Sequence, residues 1–494
     1  MKHLISPAVM RRCEEKYFRK SGVKSICIME NAAQAMANVI SADLPEGSSI
    51  YFACGTGGNG GDGTACARLL HRKYKCTIIQ PREPKSPDAM ENLRRAKACG
   101  IPILTQAPVI SPHAWVDALF GTGLSRAPMG AEAALIERIN ADQSMGAKVI
   151  SADIPSGLSG ATGQTFEPCI TADRTVTFQF IKTGMVLADG LDRCGRITIA
   201  DVDFPEDAFS PMDAQLLEPS DVKKYLPPRP RNIHKGDCGH LLIVAGSFGM
   251  AGAAVMCAKA ALRSGVGLLT IACVKSIVPI LQTLVPQAMC IPLDEFDGAI
   301  SIDALPKLQA ALRRKDAAVI GPGLTRCVSP EIIRAVLTSG IPAVVDADAL
   351  NILSENRELL SLLNENHVIT PHPGEAARLI PGLDPSDPVA AAKRLHSLGP
   401  TVLYKGASCV IADKARVFVS RSGGCGMARG GSGDILAGIM GALLADRSNL
   451  TLPFTAALAS EVHGLAGELA QQKYGSRAMN AMDIIEFIPE VLPK

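Results

Sequence analysis

Residues 48–70 read "SSIYFACGTGGNGGDGTACARLL": an apolar run, a turn with six glycines in the nine positions 55–63, and a segment of helical spacing. A strand that passes to a helix through glycine is the building step of a doubly wound parallel sheet. There the backbone N–H groups and the helix dipole converge at the strand's carboxyl end. Such a turn commonly takes one or two glycines, and six leave bare backbone against which a phosphate can sit. The pattern is not a Walker loop, which needs a Lys-Ser/Thr pair. Nor is it a clean dinucleotide fingerprint, which places its third glycine inside the helix. The spacing predicts a helix beginning near Asp62.

The same rhythm extends downstream. "CTIIQ", "AWVDALFG", "KVISADIPSG" and "TVTFQF" are apolar runs ending near Gly, Asp or Pro, as strands of a parallel sheet do. The second half repeats it with "HLLIVAGS", "GLLTIACV", "AAVIGPG", "PAVVDADAL", "HVITPHPGE" and "TVLYKG", followed by "SCVIAD" and "RVFVS" as an antiparallel hairpin. Both halves read as α/β. Between them "LLEPSDVKKYLPPRPRNIHKGDCGH" is rich in Pro and Arg and interrupts both periodicities. A boundary is expected between about 210 and 232, near Ser220, giving domains 1–219 and 220–494.

Composition narrows the function classes. A chain of 494 residues, 47% hydrophobic and 20% charged, buries cores for two or more domains. A formal charge of +2, one Trp and 4% aromatics give neither a cationic field nor stacking material for nucleic acid. The opening "MKHLISPAVMRRCEEKYF" has no continuous apolar core, and no apolar span reaches membrane length, so neither a signal peptide nor a membrane partner is expected. Fifteen scattered cysteines without a CxxC pair fit reduced thiols in a cytoplasm.

Chemistry-bearing residues gather at strand ends. Asp117 precedes a glycine pair, and Asp153 and Ser156 follow another apolar run. With Asn59 these hard oxygens suit a cation, and a carboxylate such as Asp153 can move a proton. In the second half "GGSGD" before "ILAGIMGALL" sets backbone amides and a helix N-terminus around Asp434. Fixed amides stabilise charge on a transferring phosphoryl group, while the carboxylate accepts a hydroxyl proton. His372, Glu375, Lys405, Gly406, Gly321, Gly323, Asp346 and Asp348 all follow predicted strands. Together they outline a nucleotide-dependent site.

"MENAAQA" at 29–35, "GGNGGDG", "DALFGTGL" and "DIPSG" occur in the order of the YjeF N-terminal family, and residues 1 to about 215 resemble its NAD(P)H-hydrate epimerases. That resemblance implies a Rossmann-like three-layer domain that interconverts the R and S forms of NADHX and NADPHX, cofactors carrying water on C6 of the nicotinamide ring. It implies a hydrate site lined by Gly58, Asn59, Gly60, Gly61, Asp62, Gly121, Thr122, Gly123, Leu124, Ser125, Arg126, Ala127 and the catalytic Asp153, with potassium held by Asn59, Asp117 and Ser156. Gly58 departs from the family's usual Asn.

"HKGDCGHLLIVAGSFGMAGAA", "GPGL", "TPHPGE", "KG" and "GMARGGSGD" resemble the NAD(P)H-hydrate dehydratase branch of the ribokinase-like superfamily over most of residues 225–494. The resemblance implies a ribokinase-like α/β domain in which ADP, with Mg2+, phosphorylates the hydrate before phosphate is eliminated. Ala253, Gly323, His372 and the catalytic Asp434 would face the hydrate; Lys405, Gly406, Ala407, Ser408, Cys409 and Gly433 would approach the nucleotide. Arg429 stands where the family commonly has Thr, and either pairs with a phosphate or projects into solvent. A homo-oligomer is expected. Another reading joins a kinase of a small vitamin-type alcohol to a non-catalytic Rossmann-like binding module.

Overall fold

The strand Ser49–Cys54 lies in mid-sheet, paired in parallel with Lys75–Ile79 on one side and Ala114–Ala118 on the other. A computed structural model describes residues 1–205, 208–209, 212–446 and 450–493. It divides into two compact units, residues 3–214 and residues 1–2 with 215–494. The division falls inside the expected boundary region and ahead of Ser220; residues 210 and 211, also in that region, lie outside the described residues.

In the first unit the strand order is Ile103–Leu104, Lys75–Ile79, Ser49–Cys54, Ala114–Ala118, Lys148–Ala152, Arg174–Phe178, Arg196–Ala200, parallel throughout. Successive residues of the central strands feed opposite cores, as the two-residue period requires. Phe52 packs in one cluster with Met36 and Ile40, whereas Ala53 and Trp115 pack in another with Ile136 and Ile139. Helices therefore cover both faces, giving three layers. The order reverses between Ser49–Cys54 and Ala114–Ala118, and a parallel sheet opens its ligand crevice at such a switch point.

Two short segments complete this unit. The strand Lys2–Ile5 pairs in parallel with Ile181–Lys182, setting Ile5 opposite Lys182. The helix Pro7–Ser21 follows, capped by the Ser6 hydroxyl accepting from Val9 N and closed by Gly22 in the left-handed region.

The second unit orders its strands Met289–Leu293, Leu268–Val274, His240–Val244, Ala317–Ile320, Ala343–Val345, His367–Ile369, Thr401–Tyr404 in parallel. Cys409–Ala412 and Val417–Ser420 then run antiparallel, as the expected hairpin. Its switch point lies between His240–Val244 and Ala317–Ile320. The helices Ala251–Arg263 and Ser432–Ala445 cross closely because a Cβ on Gly438 would collide with the Cys257 carbonyl.

One local expectation changes, and two local features go beyond what the sequence showed. The helix after the first glycine turn starts at Gly58, one turn earlier than Asp62, because a run of glycines neither caps nor stops a helix that tertiary packing holds. The Pro-rich segment is not structureless. Gln215 and Leu216 pair with Phe418 and Val419, and Pro219–Tyr225 is a helix begun by a capping box of Glu218 and Asp221. The strands Met289–Leu293 and Arg196–Ala200 lie at sheet edges, where half-exposed residues blur the apolar run that marks a buried strand.

Two candidate active sites

The first site forms at the switch point of the first unit. Asn59, in the first turn of the helix after Ser49–Cys54, donates its side-chain N–H to Phe120 O at 3.0 Å, just beyond Ala114–Ala118. Asp117 is fully buried and accepts from Ser151 Oγ (2.9 Å), Ser156 N (2.8 Å), Ser156 Oγ (2.5 Å) and Leu119 N (3.3 Å). Burial raises its pKa although these donors act against the shift. Ser156 Oγ also accepts from Phe120 N at 2.8 Å. The expected cation residues thus converge.

Potassium suits this donor set. Asn59 Oδ1 is buried with no hydrogen-bond partner, which is the kind of hard oxygen a cation completes. Asp117 adds the charge, with its long bond from Leu119 the one most readily displaced.

Of the glycine turn, Gly60 is fixed by close approach, since a Cβ there would collide with the Gly55 backbone, while Gly58 faces open space. Its departure from the family's Asn therefore leaves room rather than a clash. In the surface loop 121–127, Gly121 packs against the Asn59 side chain, and a Cβ on Gly123 would stand 3.5 Å from Arg11 Nη2. Thr122, Leu124, Ser125, Arg126 and Ala127 lie in that loop without being drawn to Asp153 by any described hydrogen bond.

Asp153 adopts a φ of 63° at the end of Lys148–Ala152, with its amide donating to Val176 O at 2.8 Å. Its carboxylate forms an ion pair with Lys182, only 1% exposed, and accepts from Phe178 N at 3.2 Å. Lys182 Nζ also donates to Thr177 Oγ1 and Phe178 O, each at 3.0 Å. Glu14, from the helix Pro7–Ser21, is pushed up to about 7 by burial and then by the Asp153 charge. Burial, followed by Asp153 and Glu14, likewise raises Asp62. The site is therefore an acidic cluster around one buried ammonium, and it includes Lys182 and Glu14, which the sequence did not single out. Glu14 reads there as part of a charged helix face, and the burial of Lys182 depends on pairing with the remote strand Lys2–Ile5.

The second site surrounds the helix Ser432–Ala445. Gly431, at φ 95°, turns the chain into that helix where a Cβ would press on Met256 Sδ. A Cβ on Gly433 would stand 3.6 Å from Lys405 Nζ and 3.9 Å from Asp346 Oδ2, so bare backbone there faces the cation. Lys405 donates to Asp346 Oδ1 at 2.8 Å and lies 3.8 Å from Glu375 Oε2. Burial alone would lower its pKa, but the two carboxylates outweigh burial and raise it. Asp434 is pushed up to about 7, chiefly by burial and then by Asp346, with Lys405 opposing. A carboxylate poised there is suited to exchange a proton near neutrality.

Ala347, at φ 49°, separates Asp346 and Asp348, which both act on Asp434. Asp346 holds Lys405 and accepts from Thr370 Oγ1 at 2.6 Å, whereas Asp348 accepts from Thr325 N at 2.8 Å beside the Gly321–Leu324 turn. Gly323 and Ala253 meet, a Cβ on Gly323 lying 3.0 Å from that of Ala253. His372 caps the following helix, its Nδ1 accepting from Gly374 N (3.0 Å) and Glu375 N (3.3 Å), with Nε2 3.6 Å from Glu375 Oε1. Gly406 and Ala407 are exposed just past Lys405, Ser408 is buried, and burial raises the Cys409 thiol. His463, lowered to about 4 by burial, lies 3.3 Å from Ser432 Oγ and is thus a neutral support for the glycine loop.

Arg429 is exposed, as the second expected course has it, and its guanidinium is tied to main-chain carbonyls: Nε donates to Gly426 O (2.8 Å) and Nη2 to Ser476 O (2.7 Å) and Arg477 O (2.8 Å). For Mg2+, no group of three His, Cys, Asp or Glu converges among the described residues. Asp346 and Glu375 are occupied by Lys405 and main-chain or hydroxyl donors. Mg2+ would therefore come with the nucleotide's phosphates rather than sit in a protein cage.

No helix among the described residues is long and apolar enough to cross a membrane. Residues 241–490 match the NAD(P)H-hydrate dehydratase family, and residues 25–184 match the YjeF-related protein N-terminus. The chain is 36% identical over 516 aligned residues to the bifunctional NAD(P)H-hydrate repair enzyme of Moorella thermoacetica, covering 99% of this chain and 96% of that one. For the Escherichia coli enzyme of the same name the figures are 33% over 497 residues, 98% and 92%. A ribokinase-like superfamily protein from Enterococcus faecalis superposes with a TM-score of 0.50 at 25% identity, over 56% of this chain and 94% of that protein. Matched in both halves and along nearly its whole length, the chain belongs to the bifunctional NAD(P)H-hydrate repair enzymes.

Proposed function

We propose that the first unit interconverts R- and S-NAD(P)HX, and that the second dehydrates the S form at the expense of ADP, releasing NAD(P)H, AMP and phosphate. The observation that carries this reading is Asp434, held near neutrality beside the Gly433 backbone and the Lys405–Asp346 pair. Asp434 takes the proton of the C6 hydroxyl as that oxygen attacks the terminal phosphorus of ADP, and AMP leaves. Lys405 and the amides of the glycine loop balance the charge that develops on the transferring group. The ring nitrogen's lone pair then expels phosphate from C6, and loss of the C5 proton restores the double bond.

In the first unit, C6 is a hemiaminal carbon, and its inversion needs a bond at that carbon to open and reclose on the other face. Asp153 moves the hydroxyl proton, Lys182 holds that carboxylate in place, and Glu14 supplies a neutral acid near pH 7. Asn59, Asp117 and Ser156 would hold potassium, which supplies a fixed positive charge for the substrate's phosphates. The two activities belong in one chain because spontaneous hydration gives both epimers while the dehydratase takes one. Fifteen free thiols support a cytoplasmic setting, and exposed Val109, Ile110 and Met129 support association between copies.

The test is incubation of the full chain with mixed NADHX epimers and ADP or ATP, following absorbance recovery and separating the epimers. Both epimers disappear with ADP if the reading is right. Accumulation of a phosphorylated hydrate with no NADH would convert the second unit into a kinase.

A further inference from the structure

We infer that Phe248 and Phe296 form a stacking subsite for the adenine of the hydrate substrate, at the outer end of the crevice that holds its nicotinamide ring. This rests on the reading just given, since it assumes a dinucleotide substrate. The two rings are 74% and 79% exposed, in a chain with only 4% aromatic residues. Two exposed rings on loops joined to each other make a local apolar patch, which marks an interaction or ligand site more than a single exposed ring does.

Their location identifies what does. Phe248 follows His240–Val244, one of the two strands that flank the switch point, and Phe296 follows Met289–Leu293. Both therefore leave the carboxyl ends of strands, where the crevice opens. Phe248 N donates to Gly298 O at 2.8 Å, and a Cβ on Gly298 would press on that of Phe248, so the two aromatic loops are fastened together. The same loop is bonded to the Gly321–Leu324 turn, whose Gly323 faces the hydrate on that reading. Ser247 Oγ donates to Gly323 O at 2.9 Å, and Gly246 N donates to Pro322 O at 2.9 Å.

The phosphate donor lies elsewhere. Lys405 follows Thr401–Tyr404, four strand positions from His240–Val244 and on the side away from Met289–Leu293. At roughly 4.8 Å per strand that is about 19 Å. ADP and the phenylalanine pair thus flank the reacting ring from opposite sides, and the second base of NAD(P)HX is the planar group left to cover the pair. Purine–aromatic stacking needs no hydrogen-bond readout, which suits a subsite built from two phenyl rings.

The experiment compares Phe248→Ala, Phe296→Ala and the double variant with wild type on two substrates at saturating ADP: NADHX, and the hydrate of reduced nicotinamide mononucleotide, which lacks the adenylate half. The KM for NADHX rises roughly five- to 150-fold in the double variant, the range of a lost base–aromatic stack. KM for the mononucleotide hydrate and for ADP stays within about twofold, and Phe248→Tyr retains the wild-type KM. An unchanged KM for NADHX, or an equal loss on both hydrates, overturns the subsite. A change in mass by light scattering with KM intact also overturns it and makes the rings an interface between copies. Failure of the wild-type chain to dehydrate either hydrate would instead overturn the underlying reading, and the subsite with it.

Discussion

Lys405 Nζ stands 2.8 Å from Asp346 Oδ1 and faces the backbone of Gly433, the residue before Asp434. Asp346 therefore acts twice, holding the ammonium against the glycine loop and disfavouring the charged form of Asp434. On the proposed role Asp434 must be deprotonated to accept a proton, so dehydration is expected to rise with pH through about 7. Removing the Asp346 charge favours the ionised form of Asp434, which moves that rising limb to lower pH. Asp346→Asn is expected to shift the limb in this direction while raising the KM for ADP, read from kcat/KM between pH 5 and 9. An unshifted limb would separate the two carboxylates.

Asp153 and Lys182 are a buried pair, 14% and 1% exposed. Removing one partner of a buried pair costs up to about 3–5 kcal/mol, and less here because Glu14 and Asp62 also act on Lys182. Asp153→Asn is expected to stop epimerisation and lower the melting temperature of its unit. The double variant Asp153→Asn/Lys182→Met recovers most of the stability and none of the activity. Thermal unfolding together with R-NADHX decay, compared against spontaneous drift, checks both.

Gly58 and Gly60 look alike in sequence and differ in space. Gly58→Asn, entering open volume, is expected to change stability by no more than about 0.5 kcal/mol. Gly60→Ala drives a methyl into the Gly55 backbone and is expected to cost at least about 1–3 kcal/mol. Urea unfolding of the two variants measures the difference.

Among the described residues the Arg429 guanidinium bonds the carbonyls of Gly426, Ser476 and Arg477. Arg429→Thr is expected to destabilise the second unit by about 1–2 kcal/mol, less than three charged hydrogen bonds would sum to, because the guanidinium is exposed. The ratio of kcat/KM for ADP to that for ATP should not change, and a change would return Arg429 to the nucleotide.

Apolar runs such as "HLLIVAGS" and "TVLYKG" made the parallel strands legible, since strands buried on both faces carry continuous hydrophobic sequence. Asn59 and Asp117 were legible because glycine turns and strand ends mark a crevice. Lys182 and Glu14 were not. Their proximity to Asp153 comes from the pairing of Lys2–Ile5 with Ile181–Lys182, which no local pattern encodes. Arg429 eluded a local reading for the same reason, its partners lying at 476 and 477. The strand Ala214–Leu216 was hidden by the Pro and Arg that follow it, although its partner Val417–Ser420 was plain.

The most direct test of phosphoryl transfer at Asp434 is the rate of ADP-dependent S-NADHX dehydration in Asp434→Asn, with R-to-S epimerisation followed in the same sample. Loss of the proton acceptor alone lowers dehydration by roughly 10²–10⁴, and epimerisation by the other unit continues at the wild-type rate. Dehydration at near the wild-type rate in this variant would contradict the account.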